Sequence, residues 1–305
     1  MSFVRLGRRA ALLGVLCLFA FTRGAGAQEL EPGAYTVSPV GINLFNAGYT
    51  FNRGDVDFDP ALPVTDARAR VSTLALSLGR AISLAGRSAT ILVSLPIVSG
   101  HVEGTYLGQF TEIDRTGLSD LRLRLGVNLY GAPARSMPEF ARTPPPRTNI
   151  SAGLMVVAPT GQYDPLRVIN LGTNRWAFKP EVAFIHTNGP WMVEFYAGAW
   201  LFTANDDFVG GHIRTQDAMT STQFNVRYTF KPNLWLSGNA NFYRGGRTSV
   251  DDKANLDLQT NSRVGATLVM PYGSRSSIRI AVSDGAYTTI GADFLGLSVS
   301  FQRAF

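Results

Sequence analysis

Strict alternation of apolar and polar residues is the feature of this sequence that most limits its fold. The segment DLRLRLGVNLY, residues 120–130, has leucine or valine at every second position, with Asp120, Arg122 and Arg124 among the residues between them. Successive side chains of a β-strand point to opposite faces, so the segment is predicted to be a strand with one apolar face and one polar face. The same pattern recurs from residue 41 to the C-terminus, where helical three-four spacing is rare. We therefore predict an all-β fold.

Twelve segments show this alternation. They are residues 42–51, 71–80, 89–98, 120–130, 149–158, 177–186, 191–202, 221–230, 234–243, 263–270, 277–283 and 294–305. A tilted strand needs about 9–11 residues to cross a bilayer, whereas strands of soluble proteins are usually about five or six residues long. Alternation alone also fits a soluble β-sandwich, in which the apolar faces meet in a dry core. The segment lengths favour strands that cross a membrane.

The connections between these segments alternate in length. Long connections follow the first, third, fifth, seventh and ninth segments, while short turns such as 187–190, with its Asn-Gly pair, follow most of the even-numbered ones. Long loops at one end, short turns at the other and an even strand count are typical of outer-membrane barrels. The sequence thus predicts a transmembrane antiparallel up-and-down β-barrel of about 12 strands. The Pro-rich connection 131–147 is predicted to be irregular or extended, and no role is assigned to it.

The N-terminus has the features of a secretory signal peptide. Basic residues at positions 5, 8 and 9 precede an apolar run at 10–21, and Ala-Gly-Ala at 25–27 is typical of a cleavage site. We predict a cleaved signal peptide at 1–27 and an outer-membrane β-barrel at 28–305, located in the bacterial outer membrane. Cys17 is the only cysteine and lies in the leader, so the mature chain is predicted to have no disulfide and no thiolate metal ligand.

Charge argues against a nucleic-acid partner. The leader holds four of the 28 basic residues and none of the 22 acidic ones, so the mature chain has 24 basic residues and a net charge of +2. Such a small excess does not indicate binding to nucleic acid.

The C-terminal segment alternates Leu295, Leu297 and Val299 on one face and ends on Phe305. A terminal aromatic residue after an alternating strand resembles the signal that the assembly machinery of outer-membrane proteins recognises. The predicted partners are that machinery, outer-membrane lipids, lipopolysaccharide and a small-molecule cargo that the sequence does not identify.

If the apolar faces contact lipid, the alternate residues point into the lumen. A charge that faces the middle of the bilayer costs about 2–4 kcal/mol, so ionisable residues on the strands are assigned inward. The residues predicted to line the lumen and to contact cargo are Arg122, Arg124, Arg227, Arg263 and Arg279. A lumen charge cluster is predicted from Lys179, Glu181 and Glu194, which flank one short turn.

Two roles remain open for these charges. They form either a selectivity lining or a set of ion pairs that cross-link neighbouring strands and largely fill the barrel. Arg122 and Arg124 have only Asp120 close in sequence, which makes them the better candidates for contacts with cargo.

Aromatic residues lie near the ends of several predicted strands. On the lipid side, residues such as Trp176, Trp191 and Tyr130 are expected to form interface girdles. Trp200 and Trp235 are assigned inward, where they either pack or form an apolar track for aromatic molecules.

Signatures of catalysis are missing from the sequence. His101, His186 and His212 are the only histidines and each is isolated in sequence, so neither a Ser-His pair nor a metal site is predicted. No glycine-rich segment precedes a helix pattern, which excludes a phosphate-binding loop. We predict that the protein is not an enzyme and that it has no cofactor.

Five short motifs in the long connections and strand starts carry a family resemblance. They are QYDP at 162–165, NLGTNRW at 170–176, NDDF at 205–208, GGRT at 245–248 and NSRVG at 261–265. Together they resemble the phenol meta-pathway degradation (MetA-pathway) family of outer-membrane proteins, over nearly all of the mature chain. The resemblance implies an outer-membrane barrel associated with the catabolism of aromatic compounds.

We therefore expect a passive channel or transporter for small hydrophobic or aromatic solutes, which pass through a narrow lumen or a side opening. The alternative is a structural or surface-binding outer-membrane barrel without transport activity.

Overall fold

The computed structural model describes residues 30–56, 64–144, 146–167 and 169–305. The predicted signal peptide, residues 1–27, lies outside the described residues. Within the described ranges the chain forms 17 strands and one short helix, α1. The strands are β1 (Asn43–Val56), β2 (Val64–Leu84), β3 (Arg87–Tyr106), β4 (Gln109–Leu118), β5 (Leu121–Tyr130), β6 (Thr148–Ala158), β7 (Ala177–Asn188), β8 (Trp191–Phe202), β9 (Asn205–Phe208), β10 (His212–Gln216), β11 (Met219–Lys231), β12 (Leu234–Gly245), β13 (Thr248–Val250), β14 (Lys253–Ala254), β15 (Gln259–Pro271), β16 (Ser276–Tyr287) and β17 (Ala292–Ala304).

Twelve of these strands form one closed antiparallel barrel. The order around the barrel is β1, β2, β3, β5, β6, β7, β8, β11, β12, β15, β16 and β17. It closes because β17 pairs with β1 along its whole length, with Leu44 opposite Ala304. Closure pairs the first and last strands of the sheet with each other, as a bilayer requires. The predicted fold class is confirmed.

The two faces of the barrel wall follow the alternation in the sequence. On β2, Leu74, Leu76 and Leu78 are exposed on the outer face, while Ser77 between them is buried on the inner face. The inner faces of β11 and β12 place Asn225 and Asn241 fully out of solvent. The inner face of the wall is therefore polar, and the outer surface carries the apolar belt.

The barrel has one end with short turns, the turn end, and one with long connections, the loop end. At the loop end a second sheet of four short strands, β9, β10, β13 and β14, forms from residues 205–216 and 248–254. No helix in the described ranges has the length and the apolar character that a membrane span requires.

The connection at 99–119, expected to be a loop, is a long hairpin. The half of β3 near the turn end pairs with β5, and the other half pairs with β4. We call residues 64–72 of β2, 99–106 of β3 and the whole of β4 the outer arm. The sequence prediction ended the strands near residues 71 and 98, because beyond them the outer face of the arm is polar and the inner face is largely glycine and alanine.

The Pro-rich connection 131–147 also departs from the prediction, because part of it is the helix α1 (Met137–Arg142). The Glu139 carboxylate accepts hydrogen bonds from the Ser136 backbone N–H (2.8 Å) and from its hydroxyl (2.7 Å). A proline in the first turn costs the helix nothing, since the first N–H groups of a helix have no partner within it. A local cap therefore forms a helical turn in a segment whose composition suggested extended chain.

Candidate functional site

The lumen of the barrel is occupied by the segment that precedes β1, residues 30–36, which we call the plug. Pro32 is fully buried and Tyr35 is 5% exposed. Backbone and side chains of the plug bind residues from strands on several sides of the lumen, as described below. The sequence offered little sign of this placement, because the segment is short and has no periodic pattern.

Glu31 of the plug forms a salt bridge with Arg124 of β5. Arg122 lies two residues before Arg124 on the same face of β5. The sequence left these arginines with only Asp120 nearby. The structure supplies Glu31 as a partner of Arg124, so this arginine holds the plug in the described conformation.

Two other strands of the wall, β8 and β16, bind the plug backbone. The Gly33 N–H donates to Glu194 Oε2 (2.9 Å), and Arg279 Nη2 donates to the Pro32 carbonyl oxygen (3.1 Å). Burying a backbone N–H or C=O group without a hydrogen-bond partner costs free energy. The plug is irregular and has no helix or sheet to supply such partners, so these side chains supply them.

Tyr35 occupies a cleft in the barrel wall beside Gly153. Its hydroxyl donates to Glu181 Oε1 (2.9 Å), and its ring packs edge-on against Tyr196 with 5.3 Å between centroids. A Cβ atom at Gly153 would lie 2.0 Å from the Tyr35 hydroxyl oxygen, closer than any real contact. The glycine at this position of β6 is therefore needed for the tyrosine to reach its place.

The predicted cluster of three charges divides into two sites. Lys179 pairs with Glu181 (2.5 Å) on β7. Glu194 is on β8, is 1% exposed and lies opposite Ile185 of β7. Its Oε1 lies 3.7 Å from Arg227 Nη2. The three charged residues flank one turn in the sequence but do not meet in the structure. The register of β7 and β8 places Glu181 and Glu194 at different heights in the lumen.

An aromatic ring lies between two of the predicted lumen arginines. The guanidinium carbons of Arg227 and Arg279 are 4.8 Å and 5.7 Å from the ring centroid of Trp235. Both distances are in the range of cation–π attraction. Arg263 is directed elsewhere, because its Nη2 donates to the Phe294 carbonyl oxygen (3.0 Å).

The other aromatic residues divide between the two faces of the wall. Trp200 lies beside Lys179, with the ammonium 5.8 Å from the ring centroid. Trp176, Trp191 and Tyr130 are exposed, by 44%, 52% and 61%.

Asp120 fastens the family motifs to the rim of the barrel. Its carboxylate accepts hydrogen bonds from the Gly161 N–H (2.9 Å), the Thr173 N–H (2.9 Å) and the Thr173 hydroxyl (2.6 Å). Asn205 joins the same network by donating to the Tyr163 hydroxyl oxygen (2.9 Å). The motifs at 162–165, 170–176 and 205–208 therefore meet at the loop end.

These features together define the class of the protein: a closed outer-membrane-type β-barrel with an apolar belt, a polar lumen and an internal plug. The particular family follows from a family model described as "Putative MetA-pathway of phenol degradation", which matches residues 44–296. The chain belongs to this family.

Two solved structures share the fold. The COG4313 outer membrane channel from Pseudomonas putida F1 is 22% identical, with a TM-score of 0.75 over 91% of this chain and 100% of that chain. The beta domain of the Bordetella autotransporter BrkA is 10% identical, with a TM-score of 0.50 over 86% of this chain and 99% of that chain. Among curated protein sequences, none matches this chain.

Proposed function

We propose that the protein is an outer-membrane channel through which small hydrophobic or aromatic solutes diffuse passively. The observation that carries this proposal is the Trp235 ring held between Arg227 and Arg279 inside the barrel. The family description, which names phenol degradation, and the channel among the solved relatives support the same function.

An indole beside two guanidinium groups is a suitable contact for an aromatic solute. Aromatic rings attract one another in stacked or edge-on arrangements, and guanidinium groups attract the negative face of a ring. A barrel of this strand number is also too narrow for large hydrated solutes, since channels that are clearly open have about 16 strands or more. Narrowness and aromatic contacts together favour small, flat solutes.

Passage along the lumen requires the plug to move. Its contacts are an ion pair, a few hydrogen bonds and the packing of the Tyr35 ring, and the segment must break them to shift. We propose that solutes pass when this segment shifts away from Arg124 and Glu194.

We propose a side opening in the barrel wall, between β16 and β17, as an additional route. Pairing between β16 and β17 ends at Ser283, although β16 continues to Tyr287. Beyond that point the Arg263 side chain donates to the Phe294 carbonyl in place of a ladder hydrogen bond. An apolar solute that leaves here avoids the most polar part of the lumen.

The proposed location is the outer membrane, and its support is the belt of exposed leucines together with the fold. The strand that ends at Phe305 is proposed as the contact for the assembly machinery, and outer-membrane lipids and lipopolysaccharide as the surroundings of the barrel.

Uptake by cells tests the proposal. A strain that lacks the gene is complemented with wild type, Trp235→Ala or Trp191→Ala, and the uptake of radiolabelled phenol and toluene is measured at limiting concentration. We expect Trp235→Ala to lower uptake several-fold and Trp191→Ala, on the lipid face, to have no effect. Heat-modifiable gel migration checks that equal amounts of each barrel are folded. Uptake by the deletion strain at the wild-type rate would contradict the proposal.

A structural or surface-binding role without transport is the second candidate, and the plug is the observation that favours it. Conductance in planar bilayers separates the two functions when wild type is compared with a plug-weakened double variant, Glu31→Gln with Tyr35→Phe. Higher conductance of the variant supports a channel. The structural role is supported if wild type and the double variant both show negligible conductance and if deletion of the gene leaves cellular uptake unchanged.

A further inference from the structure

The outer arm brings together charged residues that are far from the lumen. β3 and β4 are antiparallel, with His101 opposite Asp114 and Glu103 opposite Glu112. Residues directly opposite each other in an antiparallel pair lie on the same face, so all four side chains share one surface. It continues the outer face of the barrel, beyond Ile97 and Leu118 of the apolar belt.

Two glutamates face each other in this arrangement. Like charges directly opposite in a sheet destabilise the pairing unless a cation compensates them. Arg68 lies opposite Glu103 on the other side, but it forms an ion pair with Asp55 of β1 (3.1 Å). Arg70 of β2 lies opposite His101 itself. The same face therefore places three carboxylates, those of Glu103, Glu112 and Asp114, around one imidazole and one further arginine.

His101 is oriented as a metal ligand. Its Nδ1 lies 2.9 Å from Asp114 Oδ1, and its Nε2 lies on the side of Glu103, 3.9 Å from Oε2. A carboxylate only accepts hydrogen bonds, so Nδ1 carries the proton, and in the neutral ring Nε2 keeps a free lone pair. A carboxylate behind a histidine is the usual arrangement around metal-bound imidazole, where it fixes the ring and makes it a better ligand.

The distances fit a small dication after a minor adjustment. One potential ligand atom from each of His101, Glu103 and Glu112 lies within 4.8 Å of the others. Ligands about 2.0–2.2 Å from a tetrahedral zinc ion lie about 3.4 Å apart, so closure of roughly 1 Å is needed. Both glutamates are at least partly exposed and can supply this movement by changing rotamer.

We propose that His101, Glu103 and Glu112 form a binding site for a first-row transition-metal dication, with Asp114 as the positioning residue of the imidazole. One nitrogen and two carboxylates leave a position for water, and imidazole favours zinc, nickel or copper over calcium or magnesium. The sequence predicted no metal site because its histidines are isolated, and only the pairing of β3 with β4 assembles this set of ligands.

Calorimetric titration of Zn²⁺ into the untagged, folded protein in detergent tests the site. We expect one binding site in wild type, at least a tenfold weaker affinity in His101→Ala and in Glu112→Gln, and a loss of about 10-fold in Asp114→Asn. His212→Ala is the matched control, because His212 also lies beside a single aspartate, Asp251, at 2.5 Å. Its affinity for Zn²⁺ is expected to equal that of wild type.

Two results would overturn the proposal: no Zn²⁺ binding by wild type, or equal losses in His101→Ala and His212→Ala. A second measurement reports on the arm itself. Zn²⁺ that bridges β3 and β4 stabilises the hairpin, so tryptic cleavage after Arg115 is expected to slow at least threefold in wild type and to stay unchanged in His101→Ala. Equal protection of both proteins would place the metal elsewhere.

Discussion

The lumen and the outer arm both carry arginine and glutamate on neighbouring strands, but the two regions hold their charges differently. In the lumen, Glu194 is almost fully buried and binds Arg227, a neighbouring asparagine and the plug backbone. In the arm, Arg68 and Asp55 form a pair whose side chains are 72% and 73% exposed. Burial makes a charge depend on its partners, whereas exposure lets water replace them. Similar residue types therefore have buried, fixed partners in one region and are accessible to solvent in the other.

The largest effect is expected from removing a buried lumen charge. Glu194→Ala leaves the Arg227 guanidinium buried without its carboxylate and the Gly33 N–H without its acceptor. The free energy of unfolding should fall by roughly 3 kcal/mol, as measured by urea titration in lipid vesicles. The control is Glu112→Ala in the arm, which should change it by less than about 0.5 kcal/mol. Equal effects of the two variants would remove the distinction between the regions.

A smaller effect is expected from closing the cleft of Tyr35. Gly153→Ala places a methyl group where the tyrosine hydroxyl lies, so the ring must leave and its burial is lost. The expected cost is about 2 kcal/mol of unfolding free energy, accompanied by a higher conductance in planar bilayers. Gly238→Ala is the matched control, since a Cβ there meets no atom within 4 Å. A Gly153→Ala barrel that is as stable and as closed as Gly238→Ala would show that the plug is not held by this cleft.

The smallest effect is expected in the arm. Arg68→Ala removes an ion pair of 3.1 Å between two exposed side chains. Because water screens such pairs, the free energy of unfolding should change by less than about 0.5 kcal/mol, and the change should vanish at high salt. Urea titrations at low and high ionic strength measure it. A salt-independent loss above about 1 kcal/mol would mean that the arm holds its charges as the lumen does.

Much of the barrel was predictable because its signal is local. The alternation in residues 120–130 indicates which residues face lipid. The alternating lengths of the connections indicate that neighbouring strands run in opposite directions. Both properties depend on residues that are close in sequence, so they can be predicted without knowledge of the fold. The arm was missed because alternation of polar residues with glycine and alanine gives a weak hydropathy signal, although backbone pairing continues there.

The candidate site was only partly predictable. Alternation assigned Arg124, Glu181 and Glu194 to the inner face of the wall, which is where the structure places them. Contact of Arg124 with cargo remains a prediction. Neither Glu31 nor Tyr35 was anticipated, although an arginine without a nearby acid on the lumen face was a sign that a partner was missing.

By itself, the sequence determined which side of each strand faces lipid, how many strands close the barrel and the family to which it belongs. Only the tertiary structure decided which charges meet. Strand register placed Glu194 beside Arg227 and not beside Glu181. Residues 30–36 fold into the lumen and place the Glu31 carboxylate beside Arg124. The β3–β4 hairpin places His101 between carboxylates. Such contacts join residues that are distant in the chain, and their geometry depends on strand register and closure, which no local pattern of residues encodes.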